Sequence, residues 1–246
     1  MKKGILIETD NVTRLRAAVK QAEDTERGRP GMVAVWGEAG AGKTIAAHSL
    51  YAQRGGVFLR AMEGMSQHAF LQELCWEVKG TRPHGAHRCR ADILRALEEE
   101  PATVYVDEAD RLDLRRLEDL RDIHDITGCP VVLIGEQHLP GKLAERTRID
   151  DRIPEEYRVP FSGITPRDVS LFALEAAEIV LTPGAAGLIH KQAKGNFRRI
   201  HNLMLSVESA ARAHDTTEVD EALVRAAMPA ARSSASRAPR RGQHAQ

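Results

Sequence analysis

The amino-acid sequence predicts an α/β fold: a parallel β-sheet flanked by helices and followed by a small all-helical unit. Short apolar runs at residues 32–36, 57–59, 103–106 and 131–134 alternate with segments of helical periodicity, and parallel strands need helical crossovers between them. Aromatic residues make up only 4 % of the 246-residue chain, so aliphatic layers have to supply the core. Beyond Phe161 the strand-like runs stop and the pattern stays helical to about Ala227.

Val12, Leu15, Val19 and Ala22 recur at helical spacing and predict a helix over residues 11–27, closed by Arg29-Pro30-Gly31. Residues 32–36 read as a strand, the glycine-rich stretch after them as a loop, and 44–53 as a helix. A second strand at 57–59 leads to a helix at 66–78, with Phe70, Leu71, Leu74 and Val78 on one face. Residues 79–90 read as a loop, followed by a helix at 91–99, a strand at 103–106, a helix at 112–126 and a strand at 131–134. Pro130 sits just ahead of that strand, where its missing N–H does no harm, and 157–161 adds one more strand. Thr165-Pro166 gives the next helix a capping hydroxyl and a first-turn proline.

The chain therefore divides into an N-terminal helix and linker (1–30), an α/β domain (31–163), a helical lid (164–228) and a tail (229–246). The tail has four arginines and no acid, and too little apolar surface to order itself.

Formal net charge is zero, so a polyanionic partner would have to be met by local patches. Cys75, Cys89 and Cys129 are odd in number and widely spaced, which argues against a disulfide framework and for a reducing compartment, by default the cytoplasm. Glu8 and Asp10 interrupt the opening too early for a signal peptide, and no apolar run suits a membrane span. His84, His87 and Cys89, with Cys75, match no common metal-ligand spacing. Arg111, Arg115, Arg116 and Arg121 interleave with Asp113, Glu118, Asp119 and Asp122, the pattern of a salt-bridged helix surface.

Gly37-Glu38-Ala39-Gly40-Ala41-Gly42-Lys43-Thr44 fits G-x-x-x-x-G-K-[ST] between an apolar strand and a helix. In that setting glycines turn backbone N–H groups onto phosphate oxygens, Lys43 reaches the β- and γ-phosphates, and the Thr44 hydroxyl ligates Mg²⁺. With the following Ile45, this stretch is the expected ATP cradle. Residues 103–106 end in Asp107 and Glu108 at the same sheet edge. Asp107 is expected to hold the Mg²⁺ shell, and Glu108 to orient and deprotonate the attacking water.

The two motifs together resemble the Walker A and Walker B elements of AAA+ P-loop ATPases. That resemblance implies a polar residue after the strand at 131–134, where this chain offers Glu136 or Gln137 in place of the usual Asn, Ser or Thr. It implies an arginine finger acting on a neighbouring protomer, for which Arg152 is chosen over Arg146 and Arg148. It also implies that Arg198, in Gly195-Asn196-Phe197-Arg198-Arg199, reaches the phosphates from the lid.

Taken in order, the motifs resemble the B-type transposition ATPases, of which the phage Mu B protein is one, over roughly residues 10 to 225. The resemblance implies ATP-dependent helical filaments, a homo-oligomer, on double-stranded DNA without strong sequence preference. It also implies delivery of that target DNA to a DDE transposase, which stimulates hydrolysis in turn. Lys79, Arg82, Arg88 and Arg90, with no acid between Lys79 and Ala91, become the DNA-contact candidates. A helicase-loader ATPase of the DnaC or IstB kind, or a nucleotide-gated interaction module without DNA, shares the same nucleotide site.

Overall fold

The structure, a computed structural model, describes residues 1–2, 4–24 and 31–228. The predicted basic tail and most of the Arg29-Pro30-Gly31 turn lie outside them. In chain order the elements are α1 (Asp10–Ala22), β1 (Met32–Gly37), α2 (Lys43–Arg54), β2 (Val57–Arg60), α3 (Gln67–Lys79), α4 (Ala86–Glu99) and β3 (Val104–Asp107). Then follow α5 (Leu114–Thr127), β4 (Val131–Gly135), α6 (Leu139–Ala144), α7 (Thr147–Asp150) and β5 (Arg158–Phe161). The C-terminal unit comprises α8 (Pro166–Ala177), β6 (Val180–Leu181), α9 (Pro183–Ala193), α10 (Phe197–Ala213), β7 (Glu218–Val219) and α11 (Glu221–Ala227).

The first five strands form one parallel sheet in the order β2-β3-β4-β1-β5. Every residue of β3 and β4 is buried, because helices cover both faces; hence these strands read as continuous apolar runs. This order sets the carboxyl ends of β1, β4 and β3 side by side, the crevice in which open α/β sheets bind ligands. The helix of residues 10–22 packs against the same core through Val12, Leu15 and Val19, and Thr9 caps it by accepting from the Val12 N–H.

The structure corrects the expectations for three segments. Helix α4 starts at Ala86, not Ala91, so His87, Arg88 and Arg90 are helical. Its buried stripe is Cys89, Ile93 and Leu97, and its first turn is too polar to carry an apolar pattern. The short helices α6 and α7 fill a stretch with no expected element. The C-terminal unit is not all-helical: Val180–Leu181 pair in parallel with Glu218–Val219, strands too short for period-two alternation to show.

That unit has its own hydrophobic core, in which Phe172, Ile189, Ile200, Met204 and Val224 are buried together with Ile7 from the N-terminal segment. Thr165, Thr182, Asn196 and Asp220 each cap a helix of the unit through a side-chain oxygen. Among the described residues no helix is long and apolar enough to cross a membrane.

Candidate nucleotide site

The turn out of β1 needs glycine for two reasons. A Cβ on Gly37 would lie 2.4 Å from the Phe161 carbonyl oxygen, because β5 pairs directly alongside. Gly42 has open space around it but takes φ +96°, where L side chains are strained. Gly40 combines both constraints: its φ is +80°, and a Cβ there would stand 2.7 Å from the Asn196 side chain.

Lys43 opens α2 and is only 8 % exposed. Its Nζ donates to the carbonyls of Gly37 (2.8 Å) and Glu38 (2.9 Å). Burial holds its pKa below the ordinary 10.5, opposed in order by the charges of Glu136, Asp107, Asp110 and Glu108. The Thr44 hydroxyl stands 3.2 Å from each carboxylate oxygen of Asp107. Asp107 is buried, which raises its pKa; the Glu108 backbone N–H and the Thr44 hydroxyl offset part of that rise. A hydroxyl oxygen beside a buried carboxylate is a hard-oxygen donor set, and these residues fit Mg²⁺.

Glu108 adopts φ 56°, a left-handed conformation that costs a non-glycine residue about 1–3 kcal/mol. Its carboxylate pairs with Arg60 at 3.2 Å and with Arg111 at 3.3 Å. Sequence reasoning missed Arg60; the parallel register that sets Arg60 opposite Asp107 explains its place here.

Asp110 was missed as well, although it is the third acid of Asp107-Glu108-Ala109-Asp110. It is 8 % exposed, accepts the Glu136 N–H at 2.9 Å and faces His138 at 3.5 Å. Lys142 donates to its main-chain carbonyl at 2.7 Å. Asp110 thereby ties the loop after β4 to the end of β3. Of the two polar candidates in that loop, Glu136 exerts the largest favourable charge on Lys43, while Gln137 lines a separate cleft with Glu38 and Asn196.

A cavity of about 300 Å³ opens against the loop, lined by Gly40, Gly42, Lys43, Thr44, Ile45, Phe197, Arg198 and His201. Arg198 thus reaches the site from the C-terminal unit. Next to the cavity lies an apolar cleft formed by Ile5, Ile7, Ile45, Phe161, Ile164 and Phe197. Sequence reasoning assigned nothing to Ile5 and Ile7, whose short apolar run shows no period.

Other candidates fall elsewhere. Arg152 does not enter its own chain's site: its Nε and Nη2 donate to Asp125 on α5 at 2.8 and 3.2 Å. Arg146 and Arg148, with Arg115, instead line an open groove of about 440 Å³ and form no ion pair among the described residues. The basic segment is more compensated than its sequence implies. Lys79 faces Asp92 at 3.9 Å, Arg82 pairs with Glu73 at 2.8 Å and lies over the Trp76 ring, and half-buried Arg90 bonds Asp119. Of the four, only Arg88 is exposed without an ion pair among the described residues.

Residues 26–143 match the family model of the AAA domain. That stretch, just under half of the chain, is similar to an AAA domain. No curated protein sequence matches the chain. Among solved structures, a point mutant of Thermotoga maritima RuvB aligns with 91 % of this chain and 69 % of its own, at 19 % identity and TM-score 0.61. The T. maritima RuvB Holliday junction branch migration motor aligns with 90 % of this chain and 69 % of its own, at 20 % identity and TM-score 0.57. The Aeropyrum pernix ORC1 protein in complex with DNA aligns with 91 % of this chain and 66 % of its own, at 18 % identity and TM-score 0.59. At these identities the likeness is one of fold, the α/β architecture of AAA+ P-loop domains.

Proposed function

We propose that the chain is a Mg²⁺-dependent ATPase whose nucleotide state controls assembly on double-stranded DNA. The convergence of Lys43, the Thr44–Asp107 pair, Glu108 and Arg198 on one crevice carries this reading. Bound Mg²⁺ neutralises phosphate charge and would be held by Thr44 and Asp107. Lys43 exchanges the Gly37 and Glu38 carbonyls for phosphate oxygens. The carboxylate of Glu108 leaves Arg60 and Arg111 to take a proton from water as the water oxygen bonds to the γ-phosphorus. The bond to the β-phosphate oxygen breaks and ADP departs. Arg198 supplies positive charge from the lid, and Ile5, Ile7 and Phe197 give the base an apolar bed. Arg152 is proposed as the finger acting on a neighbour, which would require it to release Asp125.

The finer reading is a transposition ATPase of the bacterial cytoplasm that filaments on duplex DNA and delivers it to a DDE transposase. It rests on the order of motifs through Gly195-Asn196-Phe197-Arg198-Arg199. Fold likeness to a branch migration motor and to an ORC1 protein solved with DNA supports a DNA-associated role. Arg88, exposed and without an ion pair among the described residues, is the first DNA-contact candidate. Negative-stain microscopy with duplex DNA tests it: filaments with ATP, none with ADP and none for Lys43→Ala are expected. Closed rings or free monomers in ATP would overturn the filament reading.

A further inference from the structure

The C-terminal unit meets the phosphate loop through its main chain and one side chain. Asn196 Nδ2 donates to the Ala39 carbonyl at 2.7 Å, and the Arg198 N–H donates to the Gly40 carbonyl at 3.3 Å. The same asparagine caps α10, its Oδ1 accepting from the Arg199 N–H at 3.3 Å. Behind it, Gly195 is held by the Ile164 N–H bonded to its carbonyl at 3.1 Å, so Asn196 leaves a fixed backbone. The loop is shaped to receive this contact: a Cβ on Gly40 would lie 2.7 Å from Asn196 Oδ1 and 3.2 Å from the Arg198 Cβ.

We propose that Asn196 is a positioning residue that sets the Ala39–Gly40 peptide plane for phosphate binding and makes docking of the C-terminal unit and phosphate capture one event. A trans peptide is planar, with its C=O and N–H pointing in opposite directions. Turning the Ala39 carbonyl toward Asn196 therefore turns the Gly40 N–H away from the C-terminal unit, and that N–H has no acceptor among the described residues. The donor is presented to an anion without reorganisation when the anion arrives. The linkage runs both ways: an anion on the Gly40 N–H holds the Ala39 carbonyl where Asn196 needs it, so phosphate binding favours the docked unit.

This inference rests on the nucleotide reading of the site. The test separates the two bonds of Asn196. Asn196→Asp and Asn196→Ser both keep a capping oxygen for α10, and both lose the amide donor to Ala39. Binding of ATP, ADP and adenosine is measured by competition against a fluorescent ATP analogue, with melting of the nucleotide-free proteins alongside. Both variants are expected to melt close to the parent and to bind adenosine like it, while ATP and ADP weaken about three- to tenfold.

An equal loss for adenosine would mark a general defect of the C-terminal unit and overturn the proposal. A loss in Asn196→Asp but not in Asn196→Ser would reduce the effect to added negative charge and overturn it equally. Parent-like ATP affinity in both variants would refute this inference alone; no ATP binding by the parent would remove the nucleotide site and the inference with it.

Discussion

The contact between Asp110 and the loop after β4 yields a quantitative prediction. A Cβ on Gly135 would stand 2.5 Å from Asp110 Oδ1 and 3.0 Å from Leu139 Cδ2. Gly135 does not use a positive φ, so Gly135→Ala tests space alone. To admit the methyl group, Asp110 has to swing away and release the Glu136 N–H it holds at 2.9 Å. Overpacking costs about 1–3 kcal/mol, and a lost charge-assisted hydrogen bond about 1.5–3 kcal/mol. Because the two losses share one cause, the expected total is about 2–4 kcal/mol, a fall in Tm of roughly 4–16 °C for a chain of this size.

Asp110→Ala removes the same bond directly and also removes the nearest obstacle to the methyl group. In a double-mutant cycle followed by urea unfolding, Gly135→Ala is therefore expected to cost at least about 1 kcal/mol less in the Asp110→Ala background than in the parent. Additivity within about 0.5 kcal/mol would refute the claim that Gly135 is glycine on account of Asp110.

Three further outcomes follow from the site and its surroundings. Glu108→Gln is expected to bind ATP normally and to persist on DNA with unhydrolysed nucleotide, read as a slowed dissociation rate; rapid dissociation with ATP intact would count against Glu108 as the base. Arg88→Ala and Arg90→Ala are expected to diverge. The first should leave Tm unchanged and reduce the salt dependence of DNA binding by about one ion, whereas the second should lower stability by about 1–3 kcal/mol by stripping a partner from buried Asp119. At Asp125, burial raises the carboxyl pKa but the bonds from Arg152 and Arg121 outweigh it, leaving a net value below the ordinary 3.8. A depressed folded pKa contributes stability that is present above pH 3.8 and is lost as pH falls through the folded value. Arg152→Ala should therefore flatten the acid limb of the stability profile by no more than about 1 kcal/mol, and an unchanged limb would show that the pair contributes nothing.

Most of the fold was legible because its signals are local. Strands buried on both faces read as apolar runs, and the glycines of the phosphate loop are demanded by backbone conformation and crowding that any sequence there must satisfy. Asp107, Glu108 and Lys43 follow from position at a strand end or helix start. Arg60, Asp110 and the contact of Asn196 with the phosphate loop did not follow, because their partners are distant in sequence or depend on strand register: Arg60 meets Glu108 through the pairing of β2 with β3, and Asn196, legible as a helix cap, meets a loop 157 residues earlier. The basic segment misled for the same reason. Its freedom from acids holds along the chain but not in space, where Glu73, Asp119 and Asp122 fold back onto it. The parallel pair β6–β7 is two residues per strand, below the length at which any pattern can register.

Among the described residues, two stretches of backbone, not one, cross between the sheet domain and the C-terminal unit. Residues 162–164 form the first; the second is the N-terminal segment, where Ile7 is buried in one core and Val12 in the other. They are fastened together at the crossing, with Asn11 Nδ2 donating to the Ser162 carbonyl at 2.9 Å and the Ser162 N–H to Asn11 Oδ1 at 3.3 Å. A joint made of two adjacent pins behaves like a door frame: it permits swing about the line through the pins and resists twist and sliding. Opening by such a swing would draw Phe197 away from Ile5 and Ile7 and Asn196 away from Ala39 in one stroke, so the base cleft and the phosphate loop would be uncovered together and in a single direction.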